Sequence, residues 1–110
     1  MRCKVTVKFL QSDEPDALGF GRGIVRLLEG VERYGSINRS TAEMGMAYSK
    51  AWRIINAIEK EFGVRLIDRD GAHGSTLTDE AKTLLSHYRE ALNAADEAAQ
   101  RVFSKYYPDT

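Results

Sequence analysis

A chain of 110 residues has room for one domain and one appended element. Apolar residues make up 43% and charged residues 29%, values typical of a folded globular protein and not of a disordered one. The net charge is zero, but residues 33–75 contain seven basic and five acidic side chains, whereas residues 78–110 contain four basic and six acidic ones. The middle of the chain is therefore mildly basic, the sign expected of a segment that meets phosphates.

Cysteine and histidine are too few for a disulfide or a structural metal site. Cys3 has no partner in the chain, and His73 and His87 stand alone. The apolar runs are far shorter than the ~20 residues that cross a bilayer, and the N-terminus does not have the continuous apolar stretch of a signal peptide. No triad or carboxylate pair has the spacing of a catalytic site. We therefore expect a cytoplasmic protein that is not an enzyme, with no metal, cofactor or membrane contact.

The first predicted element is a strand over residues 3–10, CKVTVKFL. Polar and apolar residues alternate there with a period of two, and the two valines and the threonine favour a half-buried strand. Turn-forming residues follow over 11–23, with Pro15 at the centre. This segment is expected to fold back as a hairpin through Ala17–Phe20.

From Gly23 the apolar period becomes helical and predicts a first helix. Its single apolar face consists of Ile24, Leu27, Leu28 and Val31. Gly35 closes this helix, because glycine adopts the left-handed conformation that follows a helix end at little cost.

A second, short helix is predicted through about Met44, capped by Ser36 or Asn38. Gly45 ends it, and only three residues separate that glycine from Ser49, the predicted cap of a third helix. Two helices joined by a tight glycine turn predict a helix-turn-helix over about 36–62.

The third helix, about 49–62, has two faces at ~100° per residue. The apolar face consists of Ala51, Ile55, Ile58 and Phe62. The opposite face, which we call the polar stripe, consists of Ser49, Arg53, Asn56 and Lys60. Trp52 lies on the flank between them, where packing against the domain is favoured over an external contact. The stripe alone fits either a solvated helix face or a binding surface.

Residues 64–77 predict a β-hairpin with a glycine-bearing tip, which would form a wing beside the third helix. Thr78 then caps a long final helix over 78–107. An unbroken heptad seam runs along that helix at Ala81, Leu85, Tyr88, Leu92, Ala95, Ala99, Val102 and Tyr106. Some 28 residues at ~1.5 Å each span about 42 Å, more than one small core covers. The predicted dimerisation residues are Leu85, Tyr88, Leu92, Ala95, Ala99 and Val102.

The segment GSINRSTAEMGMAYSKAWRIINAIEKEFGVRLIDRDGAHGSTLTDEAKTLL resembles the N-terminal DNA-binding domain of ModE-like molybdate-responsive regulators. More distantly it resembles the winged helix of LysR-type regulators. The resemblance implies an α+β fold: a winged helix-turn-helix over 1–77, followed by a dimerisation helix over 78–107. The wing, DGAHGST, is shorter and poorer in glycine than is usual for ModE. No residues match the molybdate-binding region of ModE, so molybdate binding is not expected from this chain.

Together, the resemblance and the polar stripe predict a contact surface for double-stranded DNA. Its residues are Ser36, Arg39, Tyr48, Ser49, Lys50, Arg53, Asn56, Lys60 and His73. Arg53 suits guanine and Asn56 suits adenine, whereas the residues at the start of the third helix suit phosphates. Two alternatives remain open: Arg39 either binds phosphate or pairs with Glu43, and the wing either contacts DNA through His73 or is a plain hairpin.

The predicted function is a homodimeric transcription regulator that binds a near-palindromic operator. The alternative is a winged-helix module that binds another protein and not DNA. Zero net charge, the short wing, and the acids Glu59 and Glu61 near the polar stripe favour that alternative.

Overall fold

The computed structural model describes residues 1–69 and 74–108. Four helices and one two-stranded antiparallel hairpin make up the regular structure of those residues. In chain order they are α1 (Arg22–Tyr34), α2 (Ile37–Met44), α3 (Tyr48–Phe62), β1 (Ile67–Arg69), β2 (Ser75–Leu77) and α4 (Asp79–Tyr106). The predicted helix-turn-helix followed by a hairpin and a long helix is confirmed.

The C-terminal ends of α1 and α2 and the cap of α2 are those predicted from the sequence. Ser36 caps α2 through its hydroxyl, which accepts a hydrogen bond from the Arg39 amide. Gly35 and Gly45 end α1 and α2 with φ of 65° and 67°, in the left-handed region that glycine adopts without strain. Only two residues, Met46 and Ala47, separate Gly45 from the start of α3, so α2 and α3 are joined by a tight turn.

The core lies where α1, α3, the hairpin and the first half of α4 meet. All four residues of the predicted α1 face are buried, as are Ala51, Ile55 and Ile58 of α3. Leu66, Ile67 and Leu77 cover this core from the hairpin, in a register that pairs Ile67 with Leu77. The hairpin is tied to the end of α1 because the Ser75 amide donates to the Gly35 carbonyl at 3.1 Å.

The N-terminal segment differs from the strand predicted over 3–10. Only one bridge pairs it with the rest of the described chain, between Phe9 and Phe20, so no regular strand forms. The predicted fold-back is present in that bridge, and the alternation of half-buried and exposed residues from Cys3 to Leu10 is as predicted. The segment lies along α4, where the Tyr88 hydroxyl donates to the Val7 carbonyl at 3.0 Å. A side of a helix offers no row of backbone groups, which explains why no ladder forms.

The long helix α4 spans 28 residues and gives the molecule its longest dimension, 54 Å. Leu85 and Tyr88, predicted to contact a second chain, are instead buried in the core of a single chain. That prediction is wrong because the N-terminal half of the heptad seam packs in the domain core, and only the C-terminal half is partly or largely exposed. Leu92, Ala95 and Ala99 are half-buried, and Val102 is 61% exposed.

We expect Thr78→Ala to lower the free energy of unfolding by about 1–2 kcal/mol. The Thr78 hydroxyl accepts from the Ala81 amide at 3.0 Å and donates to the Arg65 carbonyl at 2.6 Å, so it both caps α4 and joins it to the hairpin. Urea denaturation measures the change. Thr83→Ala, an exposed position in the same helix, is the control and is expected to change stability by less than about 0.5 kcal/mol.

Candidate nucleic-acid interface

The polar stripe of α3 is exposed along its whole length. Ser49, Arg53, Asn56 and Lys60 all lie at the surface, while the buried residues of the same helix anchor it on the opposite side. An α-helix presented in this way by a compact core is the element that fits the major groove of DNA. The structure thus brings these four predicted residues together on one surface.

The start of α3 differs from the prediction in its cap. The helix begins at Tyr48, after Ala47, and no side chain caps it, so the prediction that Ser49 is the cap is wrong. The first helical hydrogen bond of this turn joins the Ala51 amide to the Ala47 carbonyl at 3.1 Å. The amides before it point out of the helix end, where they attract anions. Exposed Ser49 and Lys50 lie beside these amides.

The two acids near the polar stripe are engaged in internal hydrogen bonds. The Glu59 carboxylate accepts from the Leu66 amide at 2.7 Å and so fixes the turn into the hairpin. The Glu61 carboxylate accepts from the Gly19 amide at 3.0 Å and the Gln11 amide at 3.3 Å. Both carboxylates are directed at backbone of the same chain and away from the stripe, so the exposed charge of the stripe is set by Arg53 and Lys60.

Arg39, on α2, stacks on an aromatic ring and does not pair with Glu43. Its guanidinium lies 4.7 Å from the centroid of the Tyr34 ring, and the Tyr34 hydroxyl donates to the Glu43 carboxylate. Among the described residues no ion pair joins Arg39 and Glu43. Of the two alternatives for Arg39, pairing with Glu43 is therefore excluded in this structure, and phosphate binding stays a prediction.

The wing is described only at its base. β1 and β2 pair antiparallel from Ile67–Leu77 to Arg69–Ser75. His73 lies outside the described residues, so its predicted DNA contact stays a prediction. Sequence reasoning gave no role to Arg69, whose guanidinium lies 4.0 Å from the centroid of the Trp52 ring. The period of the strand indicates only that Arg69 falls on the same face as buried Ile67, and it does not identify Trp52 as the partner.

The described residues offer little else that suggests chemistry. No group of three or more histidine, cysteine, aspartate or glutamate side chains in residues 1–69 and 74–108 is arranged to hold a metal ion. Within the same residues, no helix combines the length and the apolar character that crossing a membrane requires.

The sequence matches one protein-family model and individual bacterial proteins. Residues 24–82 match the family model described as bacterial regulatory helix-turn-helix protein, lysR family. The molybdenum transport protein ModE of Azotobacter vinelandii is 33% identical over 101 residues, covering 84% of this chain and 37% of that protein. The uncharacterized HTH-type transcriptional regulator YvbU of Bacillus subtilis (strain 168) is 36% identical over 66 residues, covering 60% of this chain and 23% of that protein. The chain thus spans less than half the length of these relatives.

Comparison with solved structures gives the same fold. The DNA-binding domain of CbnR, solved in complex with DNA, matches with a TM-score of 0.60 and 21% sequence identity. The match covers 74% of this chain and 92% of that one. The arrangement of four helices and a hairpin is therefore a winged helix-turn-helix, as predicted.

Proposed function

The chain belongs to the lysR family of bacterial regulatory helix-turn-helix proteins and is a DNA-binding transcription regulator, and on that premise we propose that it binds a near-palindromic operator as a homodimer. In such a dimer a two-fold axis presents two copies of α3 to two half-sites about one turn of DNA apart. The site of action is the cytoplasm, where bacterial DNA lies. We assign no oxyanion-sensing role to these 110 residues.

Two observations support the proposed DNA-binding surface: the exposed polar stripe, and the internal hydrogen bonds of the two acids near it. Four exposed hydrogen-bonding or cationic side chains share one face of α3, and the nearby carboxylates of Glu59 and Glu61 accept backbone hydrogen bonds elsewhere. Had either carboxylate lain on the stripe, it would repel DNA phosphates at close range. The structure thus weakens one of the reasons for preferring a protein-binding module.

Within this surface we assign two kinds of contact. Arg53 and Asn56 lie in the middle of the stripe, where side chains reach base edges: Arg53 donates to guanine O6 and N7, and Asn56 pairs with adenine. Ser49, Lys50 and the hydroxyl of Tyr48 lie at the start of α3 and bind phosphate together with the free amides of the first turn. The remaining phosphate contacts come from Ser36, Arg39, Lys60 and, at the wing, His73.

The homodimer is supported by the distal half of α4. Beyond Gln100, whose side chain still donates to the Cys3 carbonyl at 2.7 Å, the helix has apolar side chains that the described part of its own chain leaves largely exposed. Val102 is 61% exposed and Tyr106 is 65% exposed, and both continue the heptad seam. With half-buried Leu92, Ala95 and Ala99 they form a strip that a second copy of α4 would bury, which lowers the free energy of association.

We expect Val102→Glu to shift the protein from dimer to monomer, because each dimer would then bury two unpaired carboxylates in an apolar seam. Sedimentation equilibrium or light scattering across a concentration series measures the dissociation constant, which should rise at least tenfold. Ser104→Glu adds the same charge about 200° around the helix and should leave the dissociation constant unchanged. Equal effects of the two substitutions would place the dimer interface elsewhere.

Salt dependence of binding tests the function itself. Genomic DNA fragments selected by the purified protein supply the operator, and affinity for it is then measured from 50 to 200 mM salt. A dimer that neutralises about six phosphates or more should lose about a thousandfold in affinity over that range. Failure to select any fragment, together with salt-insensitive binding to a protein partner, would contradict the proposal and favour the protein-binding module.

A further inference from the structure

A contact between Arg69 and Trp52 joins the base of the wing to α3, the helix proposed to read DNA. The Arg69 guanidinium lies 4.0 Å from the centroid of the indole ring, well inside the range of a cation–π interaction. Arg69 itself is exposed, and Trp52, the single tryptophan of the chain, is half-buried. A positively charged group is thus fixed at the surface where α3 and the hairpin meet.

The geometry of β1 directs Arg69 to this position. Alternate residues of a strand point to the same face, and buried Ile67 directs that face towards the core beneath α3. Arg69 pairs with Ser75, and the Ser75 amide donates a hydrogen bond to the Gly35 carbonyl at the end of α1. These two contacts fix the position of β1 relative to α1. Arg69 therefore reaches the flank of α3 through the backbone geometry of the described base of the hairpin.

The indole is held by packing and presents a ring face to the cation. Its edge packs against the Tyr48 ring, with the ring centroids 6.4 Å apart and nearly perpendicular. Its N–H group is buried without an acceptor among the described residues, so within that part of the chain the ring is held by packing alone. A guanidinium stacked on such a face keeps its N–H donors in its own plane, directed outwards and able to form a bidentate contact.

The position of Trp52 on α3 places this cation beside the polar stripe. Trp52 precedes Asn56 by four residues and follows Ser49 by three, so it lies about 40° and 60° from them around the helix. When α3 lies in the major groove, a group on this flank faces the phosphates that border the groove. We propose that Arg69 binds a DNA phosphate and that Trp52 is a positioning residue that holds its guanidinium there, an inference that rests on the proposed function.

The first test compares Arg69→Gln with Arg65→Gln by the slope of log affinity against log salt. Removing one phosphate contact per chain should reduce the slope by about 0.9 per chain, or about 1.8 per dimer. Affinity should fall by the same factor on operator and on unrelated DNA. Arg65 lies on the same hairpin but pairs with Asp68 and donates to the Ile67 carbonyl, so Arg65→Gln should leave the slope unchanged. A wild-type slope for Arg69→Gln overturns the proposal.

The role of Trp52 is tested by combining substitutions. Trp52→Phe keeps an aromatic face while it loses one ring and an N–H group that is unpaired among the described residues, whereas Trp52→Leu keeps apolar bulk without an aromatic face. Arg69→Gln should weaken DNA binding as much in the Phe background as in wild type, and markedly less in the Leu background. A purely structural tryptophan would leave the effect of Arg69→Gln equal in all three backgrounds, which overturns the positioning role.

Arg69→Lys tests the same role without altering the core. Lysine keeps the charge but has no planar group to stack, so it should keep most of the salt slope and still bind DNA more weakly than wild type at every salt concentration. Wild-type affinity for Arg69→Lys would reduce Arg69 to an unpositioned charge and overturn the role of Trp52. If the wild-type protein bound no DNA at all, the proposed function would fail, whereas DNA binding with no effect of Arg69 defeats this inference alone.

Discussion

Replacing Gly30 by alanine is expected to lower the free energy of unfolding by about 3 kcal/mol. Gly30 lies on α1 where α2 crosses it. A Cβ atom there would clash with the Ser40 hydroxyl and come within 2.7 Å of the Ser40 Cβ and 3.2 Å of its Cα. The Ser40 hydroxyl is fixed by its hydrogen bond to the Leu27 carbonyl at 2.8 Å, so it has no easy way to turn aside. Urea denaturation measures the loss.

Gly23→Ala is the matched control for this prediction. Gly23 lies on the same helix, and a Cβ atom there would meet nothing within 4 Å. Alanine at that position should raise stability by up to about 1 kcal/mol, because it reduces the conformational entropy of the unfolded chain and favours the helix. If the two substitutions had similar effects, close packing of α1 against α2 would not be what requires glycine at position 30.

Arg53→Ala is expected to weaken operator binding by about 1–3 kcal/mol for each half-site and to leave binding to unrelated DNA much less affected. The reason is that a bidentate contact to guanine O6 and N7 is lost only where guanine is present. Competition between operator and random-sequence duplexes at fixed salt measures the ratio of specific to non-specific affinity, which should fall by about tenfold or more per half-site.

Lys60→Ala separates this effect from a loss of charge. Lys60 lies on the same exposed stripe, and a phosphate contact there should contribute equally on every sequence. Its removal should weaken operator and random DNA by the same factor. Should Arg53→Ala behave in the same way as Lys60→Ala, Arg53 would contribute charge and no base recognition.

Elements determined by neighbouring residues were predictable from the sequence. The apolar face of α1 and the glycines at positions 35 and 45 depend on spacing and local conformation, and the structure confirms them. The caps at Ser36 and Thr78 are confirmed for the same reason, since each hydroxyl bonds an amide three residues further on. The cap of α3 was predicted wrongly at Ser49, because Ala47 has no polar side chain that would mark the start of the helix.

Features that depend on distant residues were not predictable. The alternation in residues 3–10 gave the correct half-buried face but could not reveal that the neighbour is a helix and not a strand. A heptad seam has the same period in a domain core as in a dimer, so Leu85 and Tyr88 could not be assigned to the core. The contact between Arg69 and Trp52 joins residues seventeen positions apart across two elements, and neither residue alone indicates it.

The uneven distribution of charged residues along the chain gives the molecule an electric polarity although its net charge is zero. The Glu59 and Glu61 carboxylates keep their charge but are directed at backbone amides, so the charges on the polar stripe are those of Arg53 and Lys60, while the last third of the chain, from residue 78, contains six acids against four bases. A neutral body of this kind is not drawn to DNA as a whole, but the field of the phosphates exerts a torque on it. If α3 binds DNA as proposed, we expect this torque to turn α3 towards the duplex before the first contact forms.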